Sequence, residues 1–376
     1  MNVVAHANGT APTVDDAEWT ARFGGDDDSS PAGRVELLDG AAIAAELPPV
    51  SYLSPELGMV SGAGAPHLIA GYGYSGKTVA TQAMCLALAA GRAVWGSYSC
   101  RPARVLHVDL EQGERLTRRR YQRLARAAGI DLPSLGDALS LAALPRISLA
   151  LDHYDTWREL MTGRDLIVVD SLRAATGGTD ENDSTIRQPL DMLTRLSEDT
   201  RCRPLVLHHG RKPNGEAGDD KYTIRGSGAI FDACDSVWVF VATKGEPVSV
   251  RQVKARSHGE PIDDFALVIE DVEGAGDDPT WGLAVRVHGA ELITKVREER
   301  AERAEARRGE ADMRAVERAL AKYPGALATD LRSVTGLGGG RIAAALLALG
   351  DRVDRRPEQD GRVRRVRHFL IPARPS

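Results

Sequence analysis

At 376 residues, 43% hydrophobic and 27% charged, the chain has room for two or three domains with buried cores and reads as a globular protein. No apolar run reaches transmembrane length, and the first 20 residues lack the basic start and apolar stretch of a signal peptide. A cytoplasmic protein without membrane contact is therefore expected.

The net charge of −5 conceals a split. The first 65 residues carry ten acidic and two basic side chains, the last 80 twelve acidic and eighteen basic. A basic end fits a nucleic-acid partner, although such asymmetry more commonly marks an ordinary solvated surface. Four cysteines, Cys85, Cys100, Cys202 and Cys234, show no C-x-x-C spacing and are read as inert thiols in a reducing compartment.

Residues 1–34 are rich in Gly, Asp, Ser and Ala and predict a disordered acidic arm. A short helix over 37–47 and the Pro48-Pro49 break lead into residues 66–290, where apolar strands alternate with helices. Strands are predicted at 104–110, 165–170, 204–208 and 236–241, with helices at 115–128 and 186–200. That alternation implies an α/β domain over 35–290 built on a mostly parallel sheet. Residues 248–254, 265–269 and 283–287 alternate apolar and polar more cleanly and predict an antiparallel extension of it. A charged helical linker over 291–312 precedes short helices at 313–322, 328–335 and 340–349, then basic alternating segments at 353–356 and 362–370. Three helices and a hairpin make a winged-helix pattern over 313–376, with 340–349 as the recognition-like helix. There is no internal repeat.

Gly71-Tyr72-Gly73-Tyr74-Ser75-Gly76-Lys77-Thr78 fills every fixed position of the phosphate-binding loop G-x-x-x-x-G-K-[ST]. Apolar Leu68-Ile69-Ala70 precede it as a strand, and residues 79–90 follow as a helix, the order that aims backbone N–H groups and a positive helix end at a phosphate. Lys77 is expected to reach the β- and γ-phosphates of ATP and the Thr78 hydroxyl to ligate Mg²⁺. The apolar strand 166–170 ends in Asp170, the Walker B pattern, which predicts a carboxylate holding Mg²⁺ through a water. Hydrolysis also needs a group that orients water. The strand Val105-Leu106-His107-Val108-Asp109-Leu110-Glu111 offers two carboxylates on one face, so spacing alone leaves both open. Glu111 lies nearer the strand edge and the cleft, which favours it. Strand 204–208 delivers His208, His209, Arg211 and Lys212 to the same edge, where a polar side chain can sense the γ-phosphate.

The motif order GYGYSGKT, HVDLEQ, LIVVDSL, LVLHHGRK, IRGSGAI resembles the RecA-like ATPases of the RepA-type hexameric replicative DNA helicases, over roughly residues 45–260. The resemblance implies an ATP-hydrolysing DNA motor in a homo-oligomeric ring, a hexamer, of the kind used to replicate plasmids, phages or mobile elements alongside other replication proteins. It implies catalytic Glu111, a sensor at His208 or His209, and an arginine finger at Arg225 reaching a neighbour's ATP. Lys254 and Arg256 resemble a basic pair that related rings send across the interface. The basic end and the acidic arm exceed the minimal helicase, and an ATP-regulated DNA-binding or loading protein is the alternative. For single- or double-stranded DNA the candidate contacts are Arg211, Lys212, Lys221 and Tyr222 in one loop, Arg341 at the start of the recognition-like helix, and Arg362, Arg364, Arg365 and Arg367 on the wing. Of the last four, Arg362 and Arg364 share one face, Arg365 and Arg367 the other.

Overall fold

The computed structural model describes residues 37–47, 49–177, 184–210, 228–242, 246–274, 281–360 and 363–371. The chain divides into two units, residues 1–49 and 50–376. In the first, a single short helix α1 (Gly40–Ala44) is started by Asp39, whose Oδ1 accepts from the Ala42 amide at 2.8 Å. It is shorter than the helix expected over 37–47.

The second unit opens with a small antiparallel pair, β1 (Tyr52–Ser54) and β2 (Met59–Val60). There follow β3 (His67–Gly71), α2 (Lys77–Ala90), β4 (Val105–Asp109), α3 (Glu114–Ala128), β5 (Leu139–Ala143), α4 (Tyr154–Met161), β6 (Leu166–Asp170) and α5 (Leu172–Ala175). Then come α6 (Arg187–Thr200), β7 (Arg203–His209), α7 (Gly228–Ala233), β8 (Ser236–Val241), β9 (Val248–Ala255), β10 (Phe265–Val272) and β11 (Gly282–Gly289). The nine strands form one sheet in the order β11-β10-β9-β8-β3-β7-β6-β4-β5. From β8 to β5 every pair is parallel, and from β8 to β11 every pair is antiparallel. This is the α/β RecA-like P-loop fold, a parallel core carrying an antiparallel extension.

Parallel strands buried on both faces need unbroken apolar runs, and β6 and β7 supply them. Alternation sorts their side chains into two cores. Ile69, Val105, Leu166, Val168, Leu205 and Leu207 pack with Met84, Leu88 and Leu124 from α2 and α3. Leu68, Leu106, Ile167, Val169 and Val206 pack on the other face with Trp157, Met161, Leu190 and Leu193 from α4 and α6. Among the elements that escape the sequence pattern are an edge strand and a short helix. Edge strand β5 (LSLAA) is only half-buried and ends in small alanines. Helix α4 is two turns long and is anchored mainly by Trp157 and Met161.

Beyond β11, the charged linker and the first C-terminal helix are one helix, α8 (Glu291–Lys322). Nothing between residues 312 and 313 breaks it, and Glu299–Arg303 and Glu310–Arg314 pairs brace its exposed stretch at i,i+4 spacing. Its last turns join α9 (Ala328–Thr335), α10 (Gly339–Leu349) and the antiparallel hairpin β12 (Val353–Asp360) and β13 (Val363–Leu370) around a separate core. Val316, Leu320, Leu331, Ile342, Leu346, Leu349 and Val353 fill it. Asp312 on α8 and Arg341 on α10 close the bundle with a two-pronged ion pair. A one-residue bridge from Ala326 to His368 adds a third chain segment to the hairpin. Among the described residues, no single helix is long and apolar enough to cross a membrane.

Leu320 is fully buried in this third core. Leu320→Ala should cost about 2–5 kcal/mol there. The expected outcome is an early unfolding step in thermal melts, confined to the C-terminal bundle, with nucleotide affinity retained. A single unshifted transition would contradict the separate core.

Candidate active site

Parallel register brings the chemistry to one sheet edge. Gly71 of β3 pairs with His209 of β7, and Asp109 of β4 pairs with Asp170 of β6. The face is set by alternation: His107 and Asp109 continue the Val105 side, Asp170 the Leu166 side, and His209 the Leu205 side, all toward α2 and α3. His208 falls on the opposite face, with Val206, and is buried. The sequence left the two histidines unseparated; the strand separates them.

The loop 71–76 turns so tightly that two of its glycines are required. A Cβ on Gly71 would lie 2.5 Å from the Phe240 carbonyl oxygen, and one on Gly76, at φ 78°, would lie 2.5 Å from Ile269 Cδ1. Tyr72 and Tyr74 are exposed along the loop, and Ser75 is buried beneath it. Lys77 opens α2 and is nearly buried. Its ammonium donates to the carbonyls of Gly71 (2.5 Å) and Tyr72 (3.2 Å) and to Ser75 Oγ (3.4 Å). Burial brings it down to about 8, opposed by the negative charges of Asp170 and Glu111.

Asp109, at the end of β4, and Glu111, two residues beyond it, do different work. Asp109 Oδ1 accepts the amides of Glu111 (3.0 Å) and Gln112 (2.8 Å), and its Oδ2 accepts the Thr117 hydroxyl. Buried and saturated, it ties the strand end to α3. Glu111 keeps about a third of its side chain exposed. Its Oε1 accepts from Ser171 Oγ at 2.5 Å and meets His209 Nε2 at 3.1 Å. The His209 hydrogen bond, followed by that of Ser171, holds the Glu111 carboxyl below its ordinary value against the opposing effect of burial. Glu111 is therefore an ionised, oriented acceptor at the cleft edge, suited to align a water.

Asp170 is buried, and its Oδ2 has no hydrogen-bond partner among the described residues. A bare buried carboxylate oxygen is costly and fits a site completed by a hydrated cation. Thr78 and Asp170 are the residues that would hold Mg²⁺, which supplies charge neutralisation at the phosphates when bound. Sequence reading missed Gln112 and Arg120. Arg120 donates to Gln112 Oε1, which turns the amide N–H₂ toward Thr78 Oγ1 at 3.4 Å. The available signal was a Gln directly after Glu111 and an Arg two turns later.

The remaining described candidates lie apart. Lys254 pairs across β9 with Val237 of β8, three residues back from Phe240 beside the loop, about 10 Å along the strand. Its ammonium donates to the Phe231 and Asp232 carbonyls, and Arg256 also donates to Asp232. Arg211, Lys212, Lys221, Tyr222, Arg225 and Arg362 lie outside the described residues. In the bundle, Arg341 is engaged by Asp312, while Arg367 donates to Glu358 and the Gly325 carbonyl. Arg364 and Arg365 are exposed on β13.

Residues 29–215 match the family model of an AAA domain. The chain carries a P-loop ATPase domain. The match takes in the loop, Glu111, Asp170 and His209 and ends soon after β7, so β8–β11 and the C-terminal bundle lie beyond it. No curated protein matches the chain.

Two outcomes follow for the ATPase domain. Glu111→Gln should keep nucleotide affinity and lose turnover by about 10²–10⁴-fold, the usual worth of a positioned base. Asp109→Asn should instead lower the melting temperature by loosening the start of α3. Full turnover in Glu111→Gln alongside an inactive, stably folded Asp109→Asn would reverse the assignment.

Nucleotide affinity should also depend on pH through Lys77. Phosphate favours the charged ammonium, so binding takes up a proton once the free protein has lost it. Affinity should be flat below about 8 and then fall by up to about tenfold per pH unit, until the bound-state value is reached. Titration with a fluorescent nucleotide measures this, and a profile flat to pH ~10, as for an ordinary lysine, would contradict it.

Proposed function

We propose that the chain is an ATP-driven, ring-forming DNA motor of the replicative-helicase kind, working as a homo-oligomer, with six subunits as the expected number. The observation that carries this reading is the Glu111–His209 pair beside Lys77 and Asp170. A carboxylate held by a histidine at a P-loop edge suits transfer to water better than transfer to a small-molecule acceptor. A histidine touching that carboxylate can also report the γ-phosphate to β7, whose continuation carries Arg211 and Lys212. In this reading Arg225 of a neighbouring subunit supplies positive charge to the γ-phosphate, and Lys254 and Arg256 face the subunit boundary.

The C-terminal bundle, read as a winged helix, adds a DNA contact through its hairpin. Arg362, Arg364 and Arg365 are the phosphate contacts proposed for the hairpin; Arg341 and Arg367 make ion pairs within the bundle. Helix α10 is mostly apolar and offers few donors to base edges, so weak binding with little sequence preference is expected. The bundle's separate core also supports a second reading, an ATP-regulated DNA-binding or loading protein that does not unwind.

The test is the full chain with a non-hydrolysable ATP analogue and single-stranded DNA, imaged for rings, followed by strand displacement with ATP. Six-membered rings and ATP-dependent displacement are expected. ATP-dependent binding without displacement would favour the second reading, and a monomer unaffected by DNA would exclude both. DNA affinity should fall with salt at a log–log slope of roughly −2 to −3 for about three phosphate contacts. A slope near zero would remove the hairpin from the interface.

A further inference from the structure

Behind the Asp170 carboxylate lies a buried polar chain that the hydrolytic site does not use directly. His107, on the middle of β4, is 1% exposed, and its Nε2 has no hydrogen-bond partner among the described residues. That nitrogen lies 3.8 Å from Asp170 Oδ2, the oxygen that is also unpartnered. Two buried, unsatisfied atoms thus face each other. On the ring's other side, Nδ1 lies 3.1 Å from the Tyr121 hydroxyl of α3, and Tyr121 in turn interacts with the Cys85 thiol of α2.

The direction of this chain follows from its Asp170 end. Cys85 is fully buried and burial pushes its thiol up to about 12, so the thiol keeps its proton and can meet the Tyr121 hydroxyl as donor or acceptor. With S–H toward the Tyr121 oxygen and Tyr121 O–H toward Nδ1, the imidazole proton sits on Nε2 and points at Asp170. The reverse order would set a nitrogen lone pair against a carboxylate in a low-dielectric interior, where that repulsion is strong. At 3.8 Å the contact is electrostatic, and an approach of roughly half an ångström makes it a hydrogen bond.

We propose that His107 is a positioning residue for the metal site: with its ring N–H at Nε2, it holds Asp170 in the orientation that receives hydrated Mg²⁺. Tyr121 fixes its tautomer. The inference rests on the P-loop reading and extends it to a buried strand residue behind the metal-binding carboxylate. A partner that orients a metal-binding carboxylate from behind is typically worth 10–100-fold in metal affinity.

The test uses the full chain saturated with ADP and follows Mn²⁺ binding by electron paramagnetic resonance. His107→Phe, which keeps a ring but removes the donor, should weaken Mn²⁺ binding about tenfold or more. ADP affinity without metal should be unchanged. His107→Gln, which returns an N–H donor, should recover most of the loss. Should His107→Phe fail to fold, Tyr121→Phe decides, because freeing the tautomer should weaken Mn²⁺ in the same direction. Unchanged Mn²⁺ affinity in these folded variants, or an equal fall in metal-free ADP affinity, would overturn the inference. Wild-type protein that binds no ADP at all would overturn the P-loop reading beneath it.

Discussion

Parallel pairing of β3, β7, β6 and β4 is the constraint from which the site follows. Strands that run the same way end at the same edge, so a loop or carboxylate at the end of each meets the others without any long-range instruction. Alternation then fixes the face. Asp109, Asp170 and His209 each sit an even number of residues from an apolar anchor in the α2–α3 core. A one-residue slip in β7 would exchange His209 for His208 and bury the polar edge against α6. The register that packs Leu205 and Leu207 into the core is the same register that gives Glu111 its partner.

Burial explains the division of labour within the site. Asp109 is buried and fully hydrogen-bonded, which makes it a tie between β4 and α3. Asp170 is buried and incompletely satisfied, which suits it to a cation. Glu111 is half-open and held by His209 and Ser171, which leaves it charged and directed. Three carboxylates of similar intrinsic acidity thus take three roles from their surroundings.

The fold and the loop were legible because their signals are local. The glycine pattern at 71–78, the apolar runs of β6–β8 and the cleaner alternation of β9–β11 each identify themselves within ten residues. Strand β5 was missed because its Leu-Ser-Leu-Ala-Ala has little β character and its place is fixed by pairing with β4. The continuity of α8 is hidden in the sequence because the change of composition near residue 312 resembles a boundary, although nothing in 311–314 disfavours helix. In the site, the choice between Asp109 and Glu111, the separation of His208 from His209, and the parts of Gln112, Arg120 and His107 depend on contacts between residues far apart in the chain. Arg341 looked like a free basic residue at a helix start. Its partner Asp312 lies 29 positions earlier, and no sequence spacing announces such a pair.

A sheet edge built in this way should hydrolyse ATP. The most direct measurement is release of inorganic phosphate from Mg-ATP by the full chain, with and without single-stranded DNA, beside Lys77→Ala as the matched control. Phosphate release by the wild-type chain is expected, faster with DNA, and none above background in Lys77→Ala. Equal release by the two proteins, or a wild-type chain that binds ATP yet releases no phosphate under either condition, would contradict it.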